Sequence, residues 1–311
     1  MVPFVINTLM SLVSGHVGAQ ELALGSASKA LATEWLYSKD SDQFETIRLR
    51  QAFSPEYESA DEHWRWSVQS SRYQDQAWRA HVNQLGLNRK MGSLSDLQIE
   101  TGIYLNEGLG QQLVTTDNRV SVPFGKSSRI EGYLVRDWVE TRSGLEDART
   151  YWLFGTSLET QWTERWSTVL SLSQMEFSDQ NTRSRFLTKL VFDLYPTYGL
   201  TAQIWHRAQR DDDSPAAQGT YFSAERYRET LLVMGMTRRY ADFRLRARLG
   251  WGTQRVDSSD DSHSQLLDLA IEPLGRGPYT LRTVFGFKRG AGVSGNSYSY
   301  RVLSQELTIR F

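Results

Sequence analysis

The sequence predicts an all-β fold, a single antiparallel transmembrane β-barrel of about sixteen strands, and three observations lead there. Polar and apolar residues alternate with period two in segment after segment, the signature of a sheet with two unlike faces. The segments run to about 10 to 14 residues, against the five or six usual in soluble sheets. The composition joins 10 Trp, 14 Tyr and 13 Phe to a mean hydropathy of -0.48, which suits a wall in which only alternate residues meet lipid. No apolar run of about 20 residues is present, so the chain does not cross a bilayer as helices.

Along the chain, residues 1–19 carry no Lys, Arg, Asp or Glu and end in Val17-Gly18-Ala19, a small-residue pattern suited to cleavage before Gln20. They read as an export signal. Residues 20–30 read as a periplasmic lead-in, with a polar helical stretch over 21–32, and residues 31–311 as the barrel. Strands are expected to start near residues 31, 44, 63, 79, 95, 111, 129, 149, 166, 183, 200, 227, 243, 264, 279 and 297. The clearest spans 243–253, where Phe243, Leu245, Ala247, Leu249 and Trp251 alternate with Arg244, Arg246, Arg248, Gly250 and Gly252. A helix would mix these sets around its circumference, whereas a strand separates them. Alternation is poorest over 80–89 and 130–139.

The links between segments sort into two alternating classes. Short ones fall at 162–166, 195–199, 240–243 and 274–279, and longer polar ones at 140–148, 178–184, 209–226, 256–264 and 289–296. Tight periplasmic turns and longer external loops have this arrangement. The short links are flanked by Trp162, Trp166, Tyr195, Tyr198, Tyr240, Phe243 and Tyr279, as an aromatic girdle at a membrane interface requires. The last segment places Leu303, Leu307, Ile309 and Phe311 on one face and ends on the aromatic. Leu307, Ile309 and Phe311 therefore look like the terminal-strand signal recognised for insertion, which makes the barrel assembly machinery and outer-membrane lipids the expected partners. Both chain ends then lie in the periplasm, and the location is the bacterial outer membrane.

Net charge is -1 and the sequence pI near 6.5, which supplies no electrostatic footprint for nucleic acid. The absence of Cys excludes disulfides and thiol chemistry. The five His residues lack metal-site spacing, so no metal and no cofactor is expected. Asp260-Asp261-Ser262-His263-Ser264 holds Ser, His and Asp side by side. Triad members converge from distant parts of a chain, so the stretch reads as a solvated loop, with no catalytic residue and no enzyme activity expected.

Parity assigns the barrel interior. If Phe243, Leu245 and Leu249 face lipid, Arg244, Arg246 and Arg248 face the lumen, because charge on the lipid face costs about 2 to 4 kcal/mol at midplane. The same rule places Arg48, Arg50, Arg65, Arg185, Lys189, Arg282, Lys288 and Arg310 inside, together with Asp96, Glu100, Glu159, Asp193, Asp268, Glu272 and Glu306. These charges either pair across strands and fill the barrel, or line a hydrated conduit whose Arg groups contact a polar polymer or an anion.

Between Asp211-Asp212-Asp213 and the following strand lies Tyr221-Phe222-Ser223-Ala224-Glu225-Arg226-Tyr227. It resembles the Tyr-Tyr/Phe-Ser-Pro-x-x-Tyr element of the C-terminal barrels of exopolysaccharide-export porins, the poly-N-acetylglucosamine and cellulose secretion type, with Ala224 in the place of Pro. The resemblance covers the barrel and not the tetratricopeptide arrays those proteins carry ahead of it. It implies a channel that conducts an exopolysaccharide or other polar polymer out of the periplasm, with polysaccharide and periplasmic export proteins as partners and Tyr221, Phe222, Ser223, Glu225, Arg226 and Tyr227 in an external loop. The Arg ladder alone fits a general or anion-selective porin equally. A lipid-modifying barrel enzyme rests only on the Ser-His-Asp loop.

Overall fold

The computed structural model describes residues 29–59, 62–92, 97–212, 220–274, 277–291 and 297–311. Within them run the strands β1 (Ala30–Asp40), β2 (Glu45–Ser54), β3 (Tyr57–Ser59), β4 (Glu62–Asp75), β5 (Trp78–Gly92), β6 (Gln98–Gly108), β7 (Gln111–Phe124), β8 (Ser128–Trp138), β9 (Thr150–Gln161), β10 (Trp166–Phe177), β11 (Thr182–Tyr195), β12 (Leu200–Asp211), β13 (Tyr227–Arg239), β14 (Phe243–Val256), β15 (Ser262–Pro273), β16 (Tyr279–Ala291) and β17 (Ser297–Arg310). Helix appears only as α1 (Arg142–Glu146) and a 3-10 turn at Pro196–Tyr198 among the described residues. Each long strand begins within three residues of its expected start. The three-residue β3 is an addition, paired to the first residues of β4 in the link after β2.

Neighbours in sequence are neighbours in the sheet, all antiparallel, and β1 pairs with both β2 and β17. The 17-stranded sheet therefore closes, which leaves no edge of unpaired N–H and C=O groups. Sixteen of its strands are long, as expected. Ala30 at the start of β1 lies opposite Arg310 at the end of β17, so both open at one end of the barrel, here the terminal end. The opposite end, where β8 and β9 or β12 and β13 connect, is the loop end.

The two faces differ as period two demands. Leu49, Trp66, Leu85, Ile103, Leu172, Ile204, Leu232, Trp251 and Leu281 are all exposed and share the outward face. On the other face, side chains meet across intervening strands: Lys288 on β16 reaches Glu229 on β13 at 2.9 Å, and Ser264 on β15 donates to the same carboxylate at 2.6 Å. Only the concave side of a curved sheet brings such groups together. An apolar band outside and a charged interior make this the wall of a barrel in a bilayer.

The connections depart from the expected pattern in the first half of the chain. At the loop end, β1 and β2, β4 and β5, and β6 and β7 join through tight hairpins, so long and short links alternate only from β8 onward. Even there, the expected long links over 178–184 and 256–264 shrink to short turns because the strands extend further than hydropathy indicates. The expected helical stretch over 21–32 also gives way at its end, where Ala30, Leu31 and Ala32 belong to β1. The residues expected to form the signal, the rest of the expected lead-in and Asp96 lie outside the described residues.

At the terminal end the short turns carry their aromatics outward. Trp162 is 67 % exposed and Tyr195, Tyr198, Tyr279 and Phe311 are similarly open, while Tyr240 stacks on Phe243 at 4.7 Å. Gly199 closes the turn after Pro196–Tyr198 with φ of +64°, and a Cβ there would run into the Thr237 carbonyl, so both conformation and space call for glycine.

Candidate functional site

The interior is the candidate site, and its side chains come from every long strand. Arg244, Arg246 and Arg248 point inward from β14, and all three are paired. Arg244 and Arg246 lie 2.7 and 3.3 Å from Glu272, and Arg248 lies 3.3 Å from Asp268, both acids on the neighbouring β15. Arg282 reaches Glu272 from the other side at 3.8 Å. Arg50 lies 3.4 Å from Glu34 and donates to Gln69 at 2.8 Å. Arg65 meets Glu306 at 3.7 Å. Arg185 donates to Gln209 at 3.3 Å, and Glu100 stands exposed inside β6. All of these side chains lie on the inward face, and most of them pair across strands there.

One of the predicted lumen residues does something else, and Arg248 joins it in addition to its pair. Lys189 is buried, with its ammonium 4.4 Å from the centre of the Trp205 ring and no hydrogen-bond partner. Arg248 approaches the same indole at 5.3 Å. Trp205, Leu231 and Val233, with Leu266 against them, form an apolar cluster on this wall, so the interior is packed rather than uniformly wet here.

At the mouth of the loop end two connections fold inward. Between β8 and β9 the chain turns inward: Thr141 caps α1 by accepting from the Gly144 N–H at 3.0 Å, and Leu145 packs with Trp138, Phe44, Tyr73 and Val82. Glu140 accepts from Arg48 and, at 2.9 Å, from the Tyr73 hydroxyl, which ties this connection to the walls of β2 and β4. From the other side comes the segment before β13. Tyr221 packs with Val139, Tyr151, Leu153, Met175 and Phe177, and its ring stacks on Phe177 at 4.3 Å. The two connections meet where Thr141 Oγ1 donates to the Thr220 carbonyl at 2.7 Å.

Residues 221–227 are accordingly built into the barrel rather than displayed on a free loop. The Tyr221 hydroxyl donates to Asp179 at 3.0 Å, and burial together with that carboxylate pushes the phenol up from its ordinary range. Asn181 donates to Tyr221 and Ser223, and Arg183 donates to the Phe222 carbonyl. Tyr227 donates to Gln254 at 3.0 Å and stacks against Arg207. Glu225 and Arg226 remain exposed, 3.6 Å apart. Sequence reasoning missed Arg183 and Asp211, a fully buried bidentate pair at 2.7 to 3.1 Å; strand parity would have placed Arg183 inside, whereas Asp211 fell in the expected link over 209–226. It also missed Glu140, which no periodicity could reveal because it lies outside any strand.

The Ser-His-Asp stretch shows no convergence. Asp261 pairs with Arg255, His263 faces outward, and Ser264 points inward to Glu229. No group of acidic or imidazole side chains that could hold a metal occurs among the described residues.

A closed antiparallel barrel with an apolar outside and an ion-paired inside is a transmembrane β-barrel of the bacterial outer-membrane class. In particular, the chain is similar to a solved bacterial polysaccharide outer membrane secretin, with a TM-score of 0.71 over 92 % of this chain and 100 % of that one at 11 % identity. It also overlaps CdiB from Acinetobacter baumannii (TM-score 0.49, 10 % identity, 90 % of this chain and 60 % of that one) and OccD1 (TM-score 0.48, 8 % identity, 91 % and 95 %). At these identities the likeness concerns the fold. No family model and no curated protein matches the sequence.

Proposed function

We propose that this barrel is a channel that conducts an exopolysaccharide or another polar polymer across the outer membrane, with its loop end outside. The observation that carries this reading is the wall itself. Inward Arg residues are held in fixed pairs with Glu272 and Asp268, so the interior presents anchored dipoles and hydrogen-bonding groups of both signs, suited to a hydroxyl-rich chain. A free cationic ladder would instead favour simple anions. The end-to-end overlap with the polysaccharide secretin and the inward seating of Tyr221 and Tyr227 support the same reading.

The reading predicts a small current in planar bilayers, because both connections fold over the mouth, and a block of that current by polysaccharide oligomers that strengthens with oligomer length. Replacing Arg244, Arg246 and Arg248 by Ala removes the partners of Glu272 and Asp268. The variant is expected to insert, to shift the reversal potential toward cations and to weaken oligomer block. Unchanged block and selectivity would make the ladder structural fill. Block by small anions with no dependence on oligomer length would favour the anion-selective porin.

A further inference from the structure

Two groups of basic side chains on the outward face at the loop end have no role in the lumen. On β12, β13 and β14 these are Arg210, Arg228 and Arg255. On β1, β16 and β17 they are Lys39, Arg289 and Arg301. Strand parity turns all six away from the interior: their neighbours Asp211, Glu229, Gln254, Asp40, Lys288 and Val302 face in. In the sheet register Arg228 lies directly opposite Arg255, and Lys39 directly opposite Arg301. Arg210 stands two residues past the partner of Arg228, and Arg289 two residues past the partner of Arg301.

Like charges directly opposite across a sheet destabilise it, and here the arrangement occurs twice, at the same end and on the same face. Among the described residues the carboxylates within 4 Å are Asp261, on Arg255, and Glu45, at 3.8 Å from Lys39. Arg210, Arg228, Arg289 and Arg301 have none. Four residues nearer the middle of the barrel on the same strands and face stand Leu232 and Trp251, 56 % and 52 % exposed. Four residues of a tilted strand span roughly 10 Å along the barrel axis. The basic groups therefore sit just beyond the apolar band, at the depth of lipid headgroups.

We infer that Arg210, Arg228 and Arg255, and separately Lys39, Arg289 and Arg301, form two binding sites for a phosphate-bearing anionic lipid in the leaflet at the loop end. One phosphate between two opposed guanidinium groups, or between guanidinium and ammonium, turns a repulsive pair into charge-assisted hydrogen bonds. The acyl chains of the same lipid then lie along Leu232 and Trp251. The inference does not depend on what passes through the lumen.

Native mass spectrometry of the full chain in detergent, titrated with phosphatidic acid or with phosphatidylcholine, tests it. Wild type is expected to retain two phosphatidic acid molecules in preference to phosphatidylcholine. Arg210→Gln with Arg228→Gln and Arg255→Gln should retain one, and adding Lys39→Gln, Arg289→Gln and Arg301→Gln should retain none, with affinity lower by about a hundredfold per lost site. If the first triple variant fails to fold, the second triple alone should lose one molecule. Equal retention by wild type and variants, or no preference over phosphatidylcholine, overturns the inference. So does inorganic phosphate binding as tightly as phosphatidic acid, which would make the clusters sites for a soluble anion.

Discussion

At the scale of single residues, the wall obeys parity while the energetics depend on depth and burial. Leu245 and Leu249 both face outward on β14, but Leu245 is two residues from the strand start at the terminal end and Leu249 is six. A charge costs about 2 to 4 kcal/mol at midplane and at most about 1 near the interface. Leu249→Arg is thus expected to lower the urea midpoint of the vesicle-inserted barrel by the larger amount, and Leu245→Arg to change it little. The reverse ranking would place the bilayer at a different height on the strands. Inside, Arg183 and Asp211 are fully buried and joined by two strong hydrogen bonds. Arg183→Gln strands the Asp211 carboxylate without its counter-charge, a loss of about 3 to 5 kcal/mol by comparison with other broken buried pairs. A double variant with Asp211→Asn should recover part of that stability in the same unfolding measurement.

At the scale of elements, strand starts were legible because most of the long strands keep period two for most of their length. The two segments of poor alternation have a common cause. On β5, Ala80 and Val82 face inward, and on β8 so does Val135, at the loop end where Leu145 and Tyr221 of the inward connections, with Trp138 at the end of β8, cover them. Apolar residues therefore appear on both faces, and hydropathy along one strand cannot reveal that a distant segment has folded over it. The same fact hid the inward fold of this connection: residues 140–148 read as a polar loop, yet Leu145 is wholly buried. This element is also the one most open to a test. A Cβ on Gly144 would collide with the Val139 carbonyl and lie 2.7 Å from Thr141 Oγ1, so Gly144→Ala disturbs the cap of α1. Glu140→Ala removes the acceptor of both Arg48 and Tyr73. Each change is expected to raise the conductance in planar bilayers and to expose the connection to added protease, with the barrel still inserted. A conductance unchanged by both would mean that this connection does not obstruct the path.

At the scale of the whole molecule, the interior charges are distributed unevenly around the barrel. Acidic groups prevail on the inward face of β6 to β9, with Glu100, Asp117, Glu131 and Glu159, where Arg119 lies 3.4 Å from Asp117. Basic groups prevail on β11 to β14, with Arg185, Lys189, Arg244, Arg246 and Arg248, a side chain set only partly balanced by Asp268 and Glu272. The near-zero net charge of -1 gives no hint of this, because summing over a chain erases the positions that folding separates. Two walls of opposite lean set up a field across the lumen, and a polar chain threading it aligns its dipoles with that field. Neutralising the acidic wall through Glu100→Gln and Glu131→Gln removes negative potential where Glu100 stands exposed to the interior. The reversal potential in a salt gradient should then move toward anions, opposite in sign to the shift expected from the Arg triple variant, and both shifts should shrink as ionic strength rises. Shifts of the same sign would show that the two sets of substitutions act through the shape of the barrel. If neither variant moves the reversal potential, these charges do not border the conducting path, and the ion pairs serve to hold the wall together.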